Sequence, residues 1–346
     1  MQTLMLLAAV AASVFVVENP KGYNSWPMIG ETGGTLVCTY SKGLKHSIGD
    51  GERGAYARTS SDGGRTWGEE ACLANAPDLG EVPIGKGKDA TGAALFWNRC
   101  CGSKPHHDLY RTTDGKAFEL LASLKLDPHP TQITDIFEVD GKLMSFWFRC
   151  SYGDKNGLNA WGTVVSKDGG RTWRQVLVES GLTPAELPTE QAGFYAGNGR
   201  VFAIARTEGD KGQFQLTSLD SGKTWKKTRT NIKDVCCSTP SLVYDAETDT
   251  IYNYYYQRGA GKLKRRIAVL SDVFDHPTRW PEPDVLVTDT PAPPAFDCGN
   301  ANAVRLGDKH VISYYTGKYP DTGVFVCVVD AGKARDKRQV SWKPKK

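Results

Sequence analysis

The chain has 346 residues, of which 40% are hydrophobic and 24% are charged, so it is long enough and apolar enough to bury a sizeable core. A net charge of +4 without any run of Lys and Arg does not indicate a nucleic-acid-binding protein, and it is compatible with a small acidic ligand. No apolar stretch reaches the ~18 residues of a membrane-spanning helix.

The first candidate element is the apolar stretch Leu4–Ala12, which runs into small residues. It is typical either of a secretory signal peptide over residues 1–15, although a basic region before it is missing, or of a buried first strand. The first alternative predicts a secreted or extracellular protein. Both alternatives stay open.

The rest of the chain has the pattern of an all-β protein. It holds 37 Gly, 9 Trp and 14 Tyr, and short aromatic and β-branched runs alternate with Gly and Asp. No linker or low-complexity segment divides it, so residues 16–346 are predicted to form one domain. The clearest predicted strands are, in chain order, Thr35–Tyr40, Ala94–Asn98, Lys142–Phe148, Val201–Ala205, Ile251–Tyr256 and His310–Tyr315.

A short motif, S-x-D-x-G-x-T-W, occurs at Ser60–Trp67, Ser166–Trp173 and Ser218–Trp225. The first two copies begin 106 residues apart and the last two begin 52 apart, which predicts a shortened copy at Thr112–Phe118 and a degraded one at Ser271. Asp and Ser bond local backbone, Gly supplies positive φ, and Trp packs beneath, so the motif is predicted to be a structural turn. A unit of 52 residues suits one four-stranded blade, and the chain length predicts a six-bladed β-propeller.

The cysteines point away from metal binding. Nine is an odd number, so at least one thiol has no partner within the chain. Cys38, Cys150 and Cys327 lie in apolar runs and are predicted to be buried. No C-x-x-C motif accompanies a histidine cluster, and we therefore expect neither a metal site nor a cofactor.

The repeated motif is an Asp-box (BNR repeat), and on it the chain resembles the sialidase (neuraminidase) superfamily over nearly its whole length. The resemblance implies a six-bladed propeller whose site lies at the central axis. It also implies arginines that hold a sugar carboxylate, a Tyr nucleophile activated by a Glu, and an Asp as acid and base. The expected partner is a sialylated glycan or another acidic carbohydrate, because a planar guanidinium pairs with a carboxylate through two hydrogen bonds.

The best local match to the family places a Glu before a strand that ends in an Arg. Here Glu190 precedes Arg206 by 16 residues, with a Gly197–Gly199 turn between them, so both side chains are predicted at one end of a hairpin. The alternative is a surface salt bridge. Arg258 is the second candidate arginine, and it is preferred over Arg265 and Arg266 because Lys262–Arg266 has the charge of a solvated turn.

The acid/base candidate follows from the loop before the first motif, where the resemblance implies an Asp. Asp50 fits by its distance to the motif, and His46 is the alternative because imidazole titrates near neutral pH. Arg53 in the same run is a candidate for substrate binding. Either acid/base candidate could instead face water.

Three further candidates complete the predicted site. Tyr23 and Trp26 would stack on a sugar ring, and Asp297 is an additional acidic candidate. The loop of Ile84–Arg99 has no assigned role, and Glu81 just before it could reach the pore.

The chain departs from the family at two places. Ser25 stands where the resemblance implies the first arginine, and Phe296–Asn302 lacks the Tyr nucleophile, since Tyr314 and Tyr315 lie inside a predicted core strand. These departures favour an inverting hydrolysis of the kind that the similar phage endosialidases suggest. Two other functions stay open: a polysaccharide lyase on uronic-acid polymers that uses Tyr23, His46 and Arg258, and a non-catalytic carbohydrate-binding propeller.

Overall fold

The computed structural model describes residues 12–19, 21–46, 53–152, 157–209, 212–293 and 298–332. Within these ranges the chain forms 24 strands and one short helix. The strands are β1 (Ala12–Glu18), β2 (Tyr23–Thr32), β3 (Thr35–Gly43), β4 (Gly54–Ser60), β5 (Ala71–Ala74), β6 (Gly80–Lys88), β7 (Ala94–Cys101), β8 (His106–Thr112), β9 (Glu119–Leu124), β10 (Gln132–Val139), β11 (Lys142–Arg149), β12 (Ala160–Ser166), β13 (Arg174–Ser180), β14 (Thr189–Tyr195), β15 (Val201–Arg206), β16 (Gln213–Ser218), β17 (Lys226–Arg229), β18 (Ser241–Asp245), β19 (Thr250–Gln257), β20 (Lys262–Val269), β21 (Asp284–Thr288), β22 (Gly299–Leu306), β23 (Lys309–Lys318) and β24 (Asp321–Asp330).

The strands build an all-β propeller of antiparallel meanders. Four separate four-stranded sheets follow one another along the chain: β6–β9, β10–β13, β14–β17 and β18–β21. Their first strands, together with β2 and β22, contact one another in cyclic order, and β22 lies against β2. Each sheet therefore presents its first strand to the centre of the ring.

The remaining eight strands form one continuous sheet, so the structure separates four four-stranded blades rather than the six that the sequence predicted. Its order is β22-β23-β24-β2-β3-β4-β5, and β1 pairs with β24 on a side branch. Tyr23 of β2 pairs in parallel with Thr322 of β24. Asn24 Nδ2 donates to the Thr322 carbonyl at 3.0 Å, and Thr322 Oγ1 donates to the Asn24 carbonyl at 2.7 Å. These buried bonds join what would otherwise be the first and last sheets.

The six predicted strands are all second strands of a meander, namely β3, β7, β11, β15, β19 and β23. They were the easiest to find because they are buried on both faces, as β15 is along its whole length. β1 begins at Ala12, so the predicted segment over residues 1–15 is described only from that residue onward.

The repeated motif forms the same turn in each of its three full copies, always between a third and a fourth strand. At the first copy Ser60 Oγ donates to Asp62 Oδ1 at 2.8 Å, and the Gly64 N–H donates to Ser60 Oγ at 2.9 Å. Thr66 Oγ1 donates to Asp62 Oδ2 at 2.6 Å, and Trp67 Nε1 donates to the Gly64 carbonyl at 3.1 Å. The backbone N–H groups of Arg65 and Thr66 also donate to Asp62 Oδ1, each at 3.0 Å, so Asp62 satisfies the backbone of the turn, which is a structural task.

The shortened copy and the predicted degraded copy differ from these three. In the shortened copy Asp114 accepts from the backbone N–H groups of Lys116 and Ala117, so the turn persists without the tryptophan. The expectation of a degraded turn at Ser271 is wrong, because α1 (Leu270–Phe274) takes its place between β20 and β21. The helix buries Leu270, Val273 and Phe274 in the core instead.

The motif tryptophans connect neighbouring sheets. Trp173 meets Trp97 of the preceding sheet with ring centroids 5.1 Å apart, and Trp225 meets Phe146 at 5.3 Å. Cys38, Cys150 and Cys327 are buried, as the sequence predicted. In the described part of the chain no helix has the length and hydropathy to cross a membrane.

Candidate functional site

The pocket at the centre of the ring is shaped by irregularities in the first strands. The pairing register shifts in β2 between Ser25 and Met28, in β14 between Thr189 and Ala192, and in β22 between Gly299 and Asn302. β6 and β10 carry similar shifts. Bulges re-aim side chains at the ends of sheets, and here they direct residues of several sheets into one cavity.

Three of these residues have left-handed backbone. Trp26, Glu190 and Asn300 have φ values of 50°, 49° and 48°, and all three line the pocket. A residue other than Gly in this conformation costs of order 1–3 kcal/mol and persists only where its surroundings fix it. Because this conformation recurs at the same point of three first strands, we take the pocket as the candidate functional site.

The cavity encloses about 190 Å³, several times the ~30 Å³ that one water molecule occupies in the liquid, so it can admit a ring-sized ligand. One wall is apolar, formed by Met28, Val82, Pro83 and Ile84. The other walls carry arginines, carboxyl groups and amides. This mixture suits a ligand with an apolar face and several polar groups.

Glu190 and Arg206 form a buried pair across the β14–β15 hairpin. Arg206 Nε donates to Glu190 Oε2 at 2.7 Å, and its Nη2 donates to Oε1 at 3.0 Å. Thr239 also donates to Glu190 Oε2. Burial opposes ionisation of Glu190, but the charge and hydrogen bonds of Arg206, then Thr239 and Arg258, bring its pKa below the usual value. The predicted pair is thus present, and it is buried rather than a surface salt bridge.

A second carboxyl group shares Arg206. Glu208 Oε1 lies 3.0 Å from Arg206 Nη2. Burial and the charge of Glu190 raise the pKa of Glu208, against the effect of Arg206. With two carboxyl groups at its guanidinium, Arg206 contributes little net charge to the pocket.

Arg258 and Arg99 differ from Arg206. Both are half-buried and line the pocket, and neither has an ion-pair partner among the described residues. Arg258 Nε donates to the Cys298 carbonyl at 2.8 Å, which fixes the guanidinium without neutralising it. Sequence reasoning missed Arg99, although it lies near the end of a second strand, as Arg206 does, and Arg258 directly follows one. That shared position is the signal that would have found it.

His46 lies at the edge of the same pocket, beside a group of buried aromatic residues. Its Nδ1 is 2.6 Å from the Tyr23 hydroxyl, and its ring meets Trp26 edge-on at 5.3 Å. Burial lowers the pKa of His46, and the positive charges of Arg258 and Arg53 lower it further. The imidazole is therefore neutral near pH 7 and can accept a proton.

Tyr23 and Arg53 do not line the pocket, unlike Trp26. Both side chains are fully buried. The guanidinium of Arg53 lies under the rings of Tyr23 and Trp26, at 5.3 and 4.7 Å from their centroids, and Nη1 donates to Ser25 Oγ at 3.3 Å. These two residues support Trp26 and His46 from below rather than reaching a ligand.

Asp135 was not singled out from the sequence. It lies at the bulge of β10, lines the pocket, and has Lys86 Nζ 3.8 Å from its carboxylate. Burial raises the pKa of Asp135, although Lys86 opposes the shift. A carboxyl group with a raised pKa in a cavity can donate a proton.

Tyr152 also lines the pocket. Its side chain is 64% exposed.

The other predicted residues lie elsewhere. Asp50 and Asp297 fall outside the described residues. Arg265 and Arg266 do not lie in a solvated turn, as the sequence suggested, but in β20, where both are buried. Glu81 is buried between strands and does not line the pocket.

The chain was compared with known proteins. No family model and no curated protein matches it. A protein of unknown function from Dyadobacter fermentans has a solved structure that matches with a TM-score of 0.75 and 17% identity, over 92% of this chain and 99% of that one. The Hadza microbial sialidase Hz136 matches with a TM-score of 0.68 and 15% identity, over 92% and 68%.

A Trypanosoma rangeli sialidase, solved with 2,3-difluorosialic acid as a covalent intermediate, matches with a TM-score of 0.67 and 13% identity. That match covers 93% of this chain but only 59% of the sialidase. At such identities the comparisons concern the fold, and they show that this chain has a sialidase-like β-propeller.

Proposed function

We propose that the protein is a glycoside hydrolase that cleaves sialic acid, or a related acidic sugar, from glycans. The observation that carries the proposal is the pair of arginines, Arg99 and Arg258, that face one pocket without a carboxylate partner among the described residues. Two half-buried cations that line one cavity without a carboxylate partner favour an anionic ligand there. A sugar carboxylate supplies that anion, and a guanidinium binds it through two hydrogen bonds.

The proposal includes a ring of six blades. The eight-stranded sheet divides naturally at the Tyr23–Thr322 pair into β22–β24 with β1 and β2–β5. The six first strands that meet around the centre support this count. We assign the repeated turns at Ser60, Thr112, Ser166 and Ser218 as Asp-boxes on the basis of their shared hydrogen bonds.

The groups in the pocket suit an inverting reaction. In this mechanism neutral His46 accepts a proton from the attacking water while protonated Asp135 donates one to the leaving glycosidic oxygen. Glu190 fixes Arg206, and its Oε1 keeps a lone pair for a water molecule or a sugar hydroxyl.

The test uses a fluorogenic sialoside and polysialic acid as substrates. Arg258→Ala removes the guanidinium that is proposed to bind the sugar carboxylate. KM should then rise about 10- to 100-fold, because hydrogen bonds to charged groups contribute roughly 1.5–3 kcal/mol. Asp135→Asn should lower kcat, and nuclear magnetic resonance should detect the inverted anomer first. Arg65→Ala, an exposed arginine in a turn, is the matched control and should leave both constants unchanged.

Each negative outcome has a defined meaning. Turnover that survives Arg258→Ala and Asp135→Asn at the wild-type rate would overturn the site assignment. Binding of sialosides without turnover would identify a carbohydrate-binding propeller instead. A first product with retained anomeric configuration would overturn the inverting mechanism but not the substrate class.

A second candidate, a lyase on uronic-acid polymers, is favoured by one contact. The Tyr23 hydroxyl and His46 Nδ1 lie 2.6 Å apart, which couples a proton relay to an imidazole beside Arg258. In such an elimination the base removes the proton next to the carboxyl group while Arg258 neutralises the carboxylate, and the glycosidic C–O bond breaks as its oxygen takes a proton from water. An unsaturated product absorbing in the near ultraviolet, lost in Tyr23→Phe, would establish this reaction, whereas hydrolysis gives no such absorbance.

A further inference from the structure

A second cluster of reactive side chains lies away from the pocket, on the sheet formed by β6–β9. Its members are Glu81 on β6, Cys100 on β7, and His106 and Asp108 on β8. Glu81 pairs with Cys100, and Cys100 pairs with His106, in the strand register. Directly opposite residues share a face of a sheet, and so do residues two apart on one strand. The register thus brings all four side chains to one face.

The side-chain atoms are close enough to share one ion. The ligand atoms of Cys100, His106 and Asp108 all lie within 4.8 Å of one another. Cys100 Sγ is 3.6 Å from Asp108 Oδ2, and His106 Nε2 is 3.6 Å from Asp108 Oδ1. In a tetrahedral zinc site with Zn–S near 2.3 Å, Zn–N near 2.05 Å and Zn–O near 2.1 Å, the ligands are about 3.4–3.6 Å apart.

A fourth ligand is available. Glu81 Oε1 lies 4.0 Å from Cys100 Sγ, and Oε2 accepts a hydrogen bond from the Ala76 N–H at 3.0 Å. One oxygen is therefore fixed by the backbone while the other points to the cluster. A carboxylate oriented in this way can complete a four-coordinate site.

The surrounding contacts orient the ligands. His106 Nδ1 lies 2.9 Å from the Lys104 carbonyl, which can only accept, so Nδ1 carries the proton and Nε2 offers its lone pair. Asn98 Nδ2 lies 3.6 Å from Cys100 Sγ, where it can donate to a thiolate. Carbonyl–histidine contacts of this kind are characteristic outer partners of metal ligands.

The described residues alone do not meet the hydrogen-bonding and charge requirements of this cluster. Cys100, Glu81 and Asp108 are 0%, 3% and 7% exposed. Asp108 Oδ1 has no hydrogen-bond partner among the described residues, and neither carboxyl group has a Lys or Arg partner there. Two buried carboxyl groups and a buried thiol surround a single imidazole. They lack compensating positive charge, which a divalent cation would supply.

We propose that Cys100, His106 and Asp108, with Glu81 as the fourth ligand, bind one Zn²⁺ ion. Mixed sulfur, nitrogen and oxygen ligands suit zinc better than the hard cations Ca²⁺ and Mg²⁺, which prefer oxygen alone. Four protein ligands close the site, so its role is structural: the ion links three adjacent strands. The spacing C-x₅-H-x-D has no C-x-x-C element, which explains why the sequence predicted no metal.

The test is independent of the proposed function. The full-length protein, freed of any tag, is treated with a chelator, desalted under anaerobic conditions and titrated with Co²⁺. Thiolate–cobalt charge transfer should appear in the near ultraviolet, saturate at one equivalent and disappear on addition of Zn²⁺. Zn²⁺ alone should raise Tm.

Three variants assign the ligands. Cys100→Ser should abolish the charge-transfer band, and Asp108→Asn and His106→Gln should weaken Co²⁺ binding at least about tenfold. His106 has an 18% exposed side chain, so its variant should fold even if Cys100→Ser does not. Cys101→Ser is the matched control, because its side chain lies on the opposite face of β7. Absence of the band in the wild type, or a band that survives Cys100→Ser or weakens only in Cys101→Ser, would overturn the proposal.

Discussion

Charge compensation separates the arginines of the pocket into two kinds. Arg206 has Glu190 and Glu208 at its guanidinium, whereas Arg258 and Arg99 have no carboxylate partner in the described part of the chain. The first kind organises the site and the second leaves positive charge for a ligand. The family resemblance led to Arg206 and Arg258 together, but only the contacts reveal this division of roles.

The positive charge also sets the proton affinity of His46. Burial, and then the charges of Arg258 and Arg53, lower its folded-state pKa below the ordinary value of 6.5, so the imidazole is neutral at and above that pH. If His46 is the base, the acid limb of kcat/KM should lie below pH 6.5, separate from the alkaline limb that deprotonation of Asp135 would give. Arg258→Ala removes one cation, and the acid limb should then move to higher pH.

A pH–rate profile of the wild type, Arg258→Ala and the control Arg65→Ala checks this prediction. In His46→Gln the acid limb of the profile should be absent, and kcat should fall by about 10²–10⁴-fold. A limb at the same pH in wild type and Arg258→Ala would contradict it.

Individual strands were more predictable than individual pocket residues. The second strands were found because burial on both faces gives a continuous apolar run, as in Val201–Ala205. Asp135 was missed because its direction depends on a bulge in β10, and a strand pattern with a period of two does not reveal where the register shifts. α1 was missed for a different reason, since the 52-residue period predicted a turn where Leu270 and Phe274 instead pack into the core.

The repeated turns make a prediction at this scale. Hydrogen bonds from the side chain and backbone of Thr172 and from Ser166 lower the pKa of Asp168 from the ordinary value of 3.8 to about 2. A carboxylate with a depressed folded-state pKa stabilises the fold above its unfolded pKa and loses this effect as pH falls. Asp168→Asn should therefore lower Tm at pH 7, and the difference should vanish between about pH 4 and pH 2.

Thermal melts across this pH range give the measurement. Asp272→Asn is the control, because Asp272 lies in α1 where the turn is missing. A Tm difference for Asp168→Asn that stays constant down to pH 2 would rule out the ionised turn as its source.

The whole molecule is held as a ring by the junction between its first and last strands. β2 and β24 share one parallel pair, and buried bonds between Asn24 and Thr322 run in both directions. The period of the motif predicted a closed ring, but it could not show that two sheets fuse where the ring closes. That fusion depends on side chains almost 300 positions apart, which no local pattern contains.

Thr322→Val tests the junction with little change of shape. The Asn24 carbonyl loses a buried donor, which should lower the free energy of unfolding by about 1–3 kcal/mol. Thr288→Val on the exposed end of β21 is the matched control and should change it by less than about 0.5 kcal/mol. Denaturant titrations that give equal values for the two variants would contradict a stabilising junction.

The pairing of β1 with β24 has a consequence for biogenesis. Ala12 lies opposite Val329, so β1 can pair with β24 only after the ribosome has made more than three hundred further residues. Until then β1 and the open side of β2 present unpaired backbone, which is a template for aggregation. Folding during synthesis can advance sheet by sheet, but β1 gains its partner only after β24 has been made, and the interval before that is when a chaperone would matter most.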